Sequence, residues 1–432
     1  MIDQILLIGQ ASIHWGRIEF GNMGNYYVIE TLIRELHRVF PDTKLVTTLQ
    51  LSDTFCKKEY INVLPLDMYY QWRENELELA KEEYLIAKQI SETGNSYNAT
   101  PFIKEVLKSD LIIDISGDMW GENADLAGDN RFLVGLYKNK TVQILQKKNV
   151  LFLVSPGPFN SEYINEAKEV YRKFDKVVLR EPVSRELLYS WGFDLSKTFD
   201  GACQSVLFEP IAKELIKNKI IDSPLFNKKR PVIGLILCGW NFKEGPYNKK
   251  EYKISEFDNF IKIIEYCTTN LGADVCLLSH SNGFELNPDF KLKRGVDFKI
   301  LEQLYSIVET KPYKDNVYLF DKLCTPQETK AIIGCMDMLI SGRVHGAIAG
   351  LSSFVPTVII NYGHGPKPHK LKGFSELYGV GEYLANPNIL NDLLMKIAKC
   401  FNNRDTIKAH LHSTVPKVIE LAHKSTEMLK DL

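Results

Sequence analysis

An arginine and a histidine stand two positions apart near residue 340, directly after a short apolar run. The run ends in Ser341-Gly342, and Arg343 and His345 begin a Gly- and Ala-rich stretch that can start a helix. Unpaired backbone N–H groups at a helix start favour negative charge. A guanidinium binds carboxylate or phosphate through two parallel hydrogen bonds, and histidine exchanges a proton near neutral pH. This pattern predicts a site for a small anionic substrate that must be protonated. The alternative is that Arg343 pairs with a buried carboxylate and His345 caps a helix.

An acidic residue and a large aromatic ring follow another apolar run. Asp118 and Trp120 come directly after the predicted strand of residues 111–115. A sugar can stack on Trp120 while Asp118 accepts the proton of one of its hydroxyls. The alternative is that Asp118 only caps the next helix.

A glycine turn precedes the first predicted helix and contains Gly21, Asn22, Gly24 and Asn25. Because glycine lacks a side chain, the backbone of such a turn can approach a ligand closely. The spacing matches neither the dinucleotide fingerprint GxGxxG nor the phosphate loop GxxxxGK[ST], which argues against a nicotinamide or ATP site. The alternative is that the glycines only shape a turn.

Two further segments contain basic residues that can bind an anion. Arg180 ends an apolar strand, and the alternative for it is an ion pair with Glu181 or Asp200. Lys367 and Lys370 lie in a loop rich in cationic residues that can close over an anion. The alternative for this loop is a solvated surface.

Short apolar runs alternate along the chain with amphipathic stretches, which is typical of parallel sheets with helices on both faces. The 432 residues exceed one ordinary core, so we predict two domains. Residues 284–304 are polar and irregular, and we predict a surface insertion there. The predicted strands are residues 5–8, 44–48, 111–115, 150–154 and 176–179 in the first domain, and 232–237, 274–278, 317–319, 338–340 and 357–360 in the second. The predicted bounds are 1–212 for the N-terminal domain, 213–230 for a linker, 231–405 for the C-terminal domain and 406–432 for a final helix.

The composition excludes several classes of protein. Lys and Arg total 53 against 54 Asp and Glu, so the net charge of −1 provides no general field for nucleic acid. The mean hydropathy is −0.16, and no apolar run approaches the roughly 20 residues that span a bilayer. Asp3 stands where a signal peptide needs a basic residue, which favours a cytoplasmic protein. The eight cysteines form no CxxC pair, so we expect no structural zinc.

The last segment, residues 409–432, has apolar residues at helical spacing. We expect it to pack against the domains. The alternative is a helix that lies on the inner face of a membrane, as a peripheral protein would use.

Taken together, these motifs resemble the polysaccharide pyruvyl transferase family over roughly residues 5–375. The most specific elements are the Ser-x-Arg-x-His motif, the "LREPVSRELL" segment and the early glycine turn. The resemblance implies an α/β fold like that of GT-B glycosyltransferases, with two Rossmann-like domains whose parallel sheets face each other across a cleft. The N-terminal domain would hold the acceptor and the C-terminal domain the donor.

The resemblance also implies phosphoenolpyruvate as donor and a sugar that carries pyruvate as a ketal. Because arginines can neutralise the charge of such a donor, we expect no metal or other cofactor. Carried over by position, Arg180, Arg343, His345 and Lys370 are donor-site residues, with Asp118 near the reacting centre. Where the family shows a run of glycines, this chain has Ser116-Gly117-Asp118. Where the family has Asp-Pro-Lys, this chain has Lys367-Pro368-His369-Lys370. The lysine that matches the family motif is therefore either Lys367 or Lys370.

Three questions stay open at the level of sequence. The acceptor is free, nucleotide-linked or a lipid-linked oligosaccharide, and the oligomeric state is unknown. The main alternative function is a GT-B glycosyltransferase that uses a nucleotide sugar, since fold alone does not separate the two. A weaker alternative is a protein that binds a sugar or phosphate without catalysis.

Overall fold

The structure of the chain is a computed structural model that describes residues 2–9, 21–65, 75–122, 129–159, 162–284, 292–364 and 369–432. Two sheets dominate it, and every strand pair within them is parallel. This confirms the predicted fold class of two parallel α/β sheets.

The first sheet has seven strands in the order β3-β2-β1-β4-β5-β6-β7. The central strand β1 is buried at all five of its residues, as expected for a parallel sheet covered on both faces. Each fully buried Leu or Ile side chain contributes roughly 1.5–3 kcal/mol to the stability of such a core. The strands are β1 (Gln4–Ile8), β2 (Lys44–Thr47), β3 (Ile61–Val63), β4 (Leu111–Asp114), β5 (Lys148–Val154), β6 (Lys176–Leu179) and β7 (Thr198–Asp200).

The second sheet has six strands in the order β12-β9-β8-β13-β14-β15, and a separate hairpin pairs β10 with β11. Strand β13 pairs with β8 on one side and β14 on the other, so the Ser-x-Arg-x-His motif follows a central strand. The strands are β8 (Val232–Ile236), β9 (Asp274–Leu277), β10 (Asn282–Phe284), β11 (Leu292–Arg294), β12 (Val317–Leu319), β13 (Met338–Ser341), β14 (Thr357–Ile360) and β15 (Leu384–Ala385).

Helices connect the strands, as parallel pairing requires. The first set is α1 (Met23–Val39), α2 (Asp53–Glu59), α3 (Glu76–Thr93), α4 (Pro101–Lys108), α5 (Asp129–Ile144), α6 (Ile164–Lys173) and α7 (Val183–Ser190). The second set is α8 (Lys217–Ile220), α9 (Asp258–Glu265), α10 (Val296–Val308), α11 (Pro326–Ile333), α12 (Val344–Ser352), α13 (His369–Leu377), α14 (Leu390–Asn402) and α15 (Arg404–Glu427). None of the described helices combines the length and apolar content needed to cross a membrane.

The contacts divide the chain into two compact units. Among the described residues, unit 1 contains residues 2–9, Ile29–Gln204 and Leu421–Leu432, and unit 2 contains residues 21–28 and Ser205–Glu420. The early glycine turn thus belongs with the second sheet. The predicted linker of residues 213–230 contains α8 and lies in unit 2. The bounds of functional domains stay a prediction.

The end of the chain packs in unit 1. The side-chain amide of Gln204 donates to the carbonyl of Ala422 and to the hydroxyl of Thr426, both at 2.8 Å. The hydroxyl of Ser425 accepts a hydrogen bond from the backbone of Ala202 at 3.2 Å, and all of these side chains are buried. Residues 421–432 therefore pack against a domain, as the apolar spacing predicted.

Candidate functional site

The turn after β13 is closed by its own serine. The Ser341 hydroxyl donates to the carbonyl of Arg343 at 2.8 Å and accepts from the Arg343 N–H at 3.3 Å. Arg343 has an extended backbone and immediately precedes α12, in which His345 is the second residue. The predicted strand, turn and helix are therefore present at this motif. Because Arg343 occupies the cap position, the alternative of His345 as a helix cap is wrong.

A neighbouring turn, which follows β8, holds the motif in place. The Asn241 side chain donates to the Gly342 carbonyl at 3.2 Å and accepts from the Cys238 N–H at 2.8 Å. A Cβ on Gly342 would lie 1.9 Å from the Asn241 side-chain oxygen. Only glycine fits at this position without a shift of one of the two turns.

Arg343 forms a buried ion pair. Its Nε donates to Oδ2 of Asp297 at 2.9 Å and its Nη2 donates to Oδ1 at 2.5 Å. Arg343 is 8% exposed and Asp297 is fully buried in the first turn of α10. Burial lowers the pKa of the Arg343 guanidinium, but the charge of Asp297 outweighs this effect and holds that pKa well above its ordinary value. The alternative given for Arg343, a pair with a buried carboxylate, is therefore correct.

Helix α10 also corrects the predicted surface insertion of residues 284–304. From residue 296 onward this segment is a helix whose Asp297, Phe298, Leu301 and Leu304 are buried. The polar residues before the helix hid its start, although the apolar spacing of its inner face was a usable signal.

An aromatic ladder, formed by Tyr247, Trp240 and Tyr362, lies beside the ion pair. The Trp240 ring stacks on Tyr247 at 5.0 Å and on Tyr362 at 5.4 Å between ring centroids. The Arg343 guanidinium lies 5.4 Å from the Tyr247 ring, and the Lys370 ammonium lies 5.1 Å from the Tyr362 ring. Cations are attracted to aromatic faces at these distances. One cation therefore lies at each end of the ladder, and both are residues that the family resemblance assigned to the donor site.

His345 packs against the glycine turn. A Cβ on Gly24 would lie 2.2 Å from Nδ1 of His345, so the imidazole occupies the space that a side chain would take. The Asn22 side chain accepts from the Gly24 N–H, and the Asn22 carbonyl accepts from the Asn25 N–H, both at 3.0 Å. The Gly21 carbonyl accepts from the N–H of Asn282 at 2.9 Å. All four predicted turn residues therefore lie in unit 2 with the Ser-x-Arg-x-His motif.

A second histidine, which the sequence did not single out, follows β9. His280 is fully buried, and its ring meets the ring of Tyr27 edge to face at 5.4 Å. Neither ring nitrogen has a hydrogen-bond partner among the described residues. Burial, with a smaller contribution from the positive charge of Arg343, lowers the pKa of His280 to about 3. This imidazole is therefore neutral at physiological pH.

Unit 1 has its own polar cluster where β4, β5 and β6 end. Arg180 is 7% exposed, and its Nε donates to the Ser155 hydroxyl at 2.9 Å. Its Nη2 lies 3.9 Å from a carboxylate oxygen of Asp118. The ion pair proposed as an alternative between Arg180 and Asp200 is wrong, since Asp200 pairs with Arg185 at 2.6 Å.

Trp120 is not available as a sugar platform. Its ring is 1% exposed and lies in an aromatic core, where its centroid is 5.8 Å from that of Phe132 and 5.6 Å from that of Phe159. The prediction that a sugar stacks on Trp120 is wrong, because neighbouring apolar side chains already cover the ring. Lys367 lies outside the residues that the structure describes.

The model of the polysaccharide pyruvyl transferase family matches residues 22–364 of this chain. The chain belongs to that family. Membership makes it a transferase of polysaccharide biosynthesis and implies a sugar or oligosaccharide acceptor. The amylovoran biosynthesis protein AmsJ of Erwinia amylovora is similar to this pyruvyl transferase family member, with 23% identity over 99% of this chain and 100% of AmsJ.

Solved structures with the same fold include glycosyltransferases and epimerases. Anabaena HepE in complex with UDP matches with a TM-score of 0.58 at 14% identity over 100% of both chains. The UDP-N-acetylglucosamine 2-epimerase of Neisseria meningitidis matches with a TM-score of 0.55 at 11% identity over 99% of this chain and 100% of the epimerase. At such identity the likeness shows the fold alone, and it confirms a GT-B-like α/β fold for this pyruvyl transferase family member.

Proposed function

We propose that this protein transfers pyruvate from phosphoenolpyruvate onto two hydroxyls of a sugar in a polysaccharide or its precursor. The product is a cyclic ketal, and phosphate is released. Family membership supports pyruvyl transfer, and the observation that carries the proposal is the grouping of Arg343 and Lys370 around one aromatic ladder. His345, two residues beyond Arg343 in the first turn of α12, is the proposed proton carrier.

The charges of unit 2 fit an anionic donor. Phosphoenolpyruvate brings a carboxylate and a phosphate, and guanidinium and ammonium groups bind both. Asp297 already offsets much of the charge of Arg343, and Lys370 is a second cation proposed to bind the donor. Arg180 in unit 1, and Lys367, are further proposed donor-binding residues. The glycine turn of residues 21–25 is proposed to contribute backbone contacts.

The proposed reaction begins when His345 gives a proton to C3 of the donor, which leaves C2 as an oxocarbenium-like centre. One sugar hydroxyl adds to C2 and gives up its proton, for which Asp118 of unit 1 is the proposed base. A neighbouring hydroxyl then forms the second C–O bond as the bond to phosphate breaks. Phosphate leaves with the bonding electron pair, and the proton of that hydroxyl is released. A well-placed general acid contributes about 10²–10⁴-fold to such a rate.

No cofactor enters this scheme, because the cations of the chain neutralise the negative charge of the donor. For the acceptor we propose a sugar or a lipid-linked oligosaccharide. A lipid-linked acceptor would bring a cytoplasmic enzyme to the inner face of the membrane as a peripheral protein.

The test is calorimetry of phosphoenolpyruvate binding to the wild type and to Arg343→Ala, with UDP-glucose as the comparison ligand. We expect the wild type to bind phosphoenolpyruvate and the variant to lose that binding. Binding of UDP-glucose alone would favour a glycosyltransferase instead. Phosphate release in the presence of acceptor should fall by about 10²–10⁴-fold in His345→Ala. His412→Ala is the matched control, since His412 stacks on Phe354 at 4.1 Å and has no role in the proposed reaction.

A further inference from the structure

The Arg343 guanidinium has one nitrogen for which the described residues provide no acceptor. The hydrogen bonds of Arg343 to described residues use Nε and Nη2, which contact Asp297 and Tyr247. No acceptor for the N–H groups of Nη1 is found within the described part of the chain. A guanidinium carries donors on all three nitrogens, so Nη1 keeps its capacity for a ligand.

The Tyr247 hydroxyl is a second donor of this kind. Its oxygen accepts a hydrogen bond from Nη2 of Arg343 at 2.6 Å, so its own hydrogen must point elsewhere. Across the described ranges, no acceptor for that hydrogen is found. Burial raises the pKa of Tyr247 well above its ordinary value, which keeps the hydroxyl protonated.

Both donors are held rigidly before any ligand arrives. The Tyr247 ring stacks on Trp240, and Asp297 fixes the guanidinium through two hydrogen bonds. Asp297 takes the edge formed by Nε and Nη2, so the bond from Nη2 to Tyr247 lies on the edge that Nη2 shares with Nη1, and one N–H of Nη1 points to that same edge. Donors that are already ordered bind an anion without paying further entropy.

We propose that the Tyr247 hydroxyl and Nη1 of Arg343 form one binding site for an anionic oxygen of the donor substrate. The inference rests on the proposed function, because it takes the ligand to be phosphoenolpyruvate. The oxygen belongs to the phosphate or to the carboxylate, and either group can accept from two donors for which the described residues provide no acceptor. Tyr247 is thereby a substrate-binding residue that local sequence patterns do not indicate.

The test compares Tyr247→Phe with Tyr252→Phe by calorimetry. Tyr252 is a matched control, since its ring packs on Phe242 at 4.2 Å and its buried hydroxyl has no partner among the described residues. The ligands are phosphoenolpyruvate, inorganic phosphate and pyruvate, each measured separately. We expect Tyr247→Phe to weaken phosphoenolpyruvate binding by roughly 10-fold or more, as for a lost hydrogen bond to a charged group. Tyr252→Phe should bind like the wild type.

The two simple ligands identify the source of the oxygen. If only phosphate binding weakens in Tyr247→Phe, the phosphate is held there, and if only pyruvate binding weakens, the carboxylate is. Unchanged binding of all three ligands overturns the inference while leaving the proposed function intact. A wild type that binds phosphate or pyruvate through Tyr247 but not phosphoenolpyruvate overturns the proposed function alone. A wild type that binds none of the three overturns both.

Discussion

Gly24 and His345 are in contact in unit 2, although they lie far apart in the sequence. The missing side chain of Gly24 leaves the room that Nδ1 of His345 fills, with only 2.2 Å to the position of a Cβ. The glycine turn therefore sets the position of the proposed general acid. Its role in this structure is to pack against a side chain, which neither of the two interpretations of the turn from sequence had considered.

We expect Gly24→Ala to reduce turnover by about 10²-fold while the protein stays folded, because a displaced acid loses its alignment with C3. Alanine suits the helical backbone of this position, so the change should act mainly through His345. The measurement is kcat for phosphate release together with the thermal midpoint. Gly381→Ala is the control, since a Cβ there would be 3.8 Å from its nearest neighbour. Equal kcat in both variants would show that the packing does not position His345.

Asp297→Asn should destabilise the protein by about 3–5 kcal/mol, because it leaves the buried guanidinium of Arg343 without its counter-charge. Urea denaturation measures the free energy of unfolding. The double variant Asp297→Asn with Arg343→Met should be more stable than Asp297→Asn alone, since the unpaired charge is then gone. Additive losses in the double variant would mean that the ion pair is not what the single change disrupts.

Trp120→Ala should cost about 3–5 kcal/mol of stability, as for removal of a large side chain from a packed core. Trp120→Phe should cost less and should leave the KM for the acceptor unchanged, because the ring is covered by protein. Denaturation and acceptor kinetics on the two variants check this. A higher KM for the acceptor in Trp120→Phe at unchanged stability would instead support stacking of a sugar on Trp120.

His280 should make stability depend on pH in the acid range. Its pKa is about 3 in the folded protein against 6.5 for an ordinary histidine, so the unfolded chain binds the extra proton between these values. Stability should therefore be complete above about 6.5 and fall as the pH drops toward 3, by up to about 1.4 kcal/mol per pH unit. Urea denaturation across this range should show a smaller slope for His280→Leu, whereas His412→Leu should keep the slope of the wild type. An unchanged slope in His280→Leu would contradict the burial of a neutral imidazole.

Long apolar runs made the central strands predictable. The predicted strand of residues 176–179 coincides with β6, and that of residues 111–115 differs from β4 by one residue at its end. The edge strands β3 and β7 were missed. Each has only three residues, and so short a strand provides no periodicity to detect.

The proposed site was predictable only where it is local. The motif around Arg343 lies in one strand, turn and helix, and its pattern indicated that placement. Asp297 and Tyr247 are 46 and 96 residues away from Arg343 in the sequence, and only the folded chain brings them into contact with it. No spacing pattern along the sequence predicts contacts over such separations. Trp120 was misjudged for a different reason, because an aromatic residue after a strand is as compatible with the core as with a ligand.

Residues 421–432 belong to unit 1 although they follow unit 2 in the sequence, and this has a consequence for folding during synthesis. Most of unit 1 precedes unit 2 along the chain, but unit 1 also includes Leu421–Leu432, which follow Glu420, the last residue of unit 2. Domains generally fold as units during translation, from the N-terminus onward. This chain departs from that order, because unit 1 stays incomplete at the surface that Gln204 presents until residues 421–432 have been synthesised, and these residues follow the last residue of unit 2.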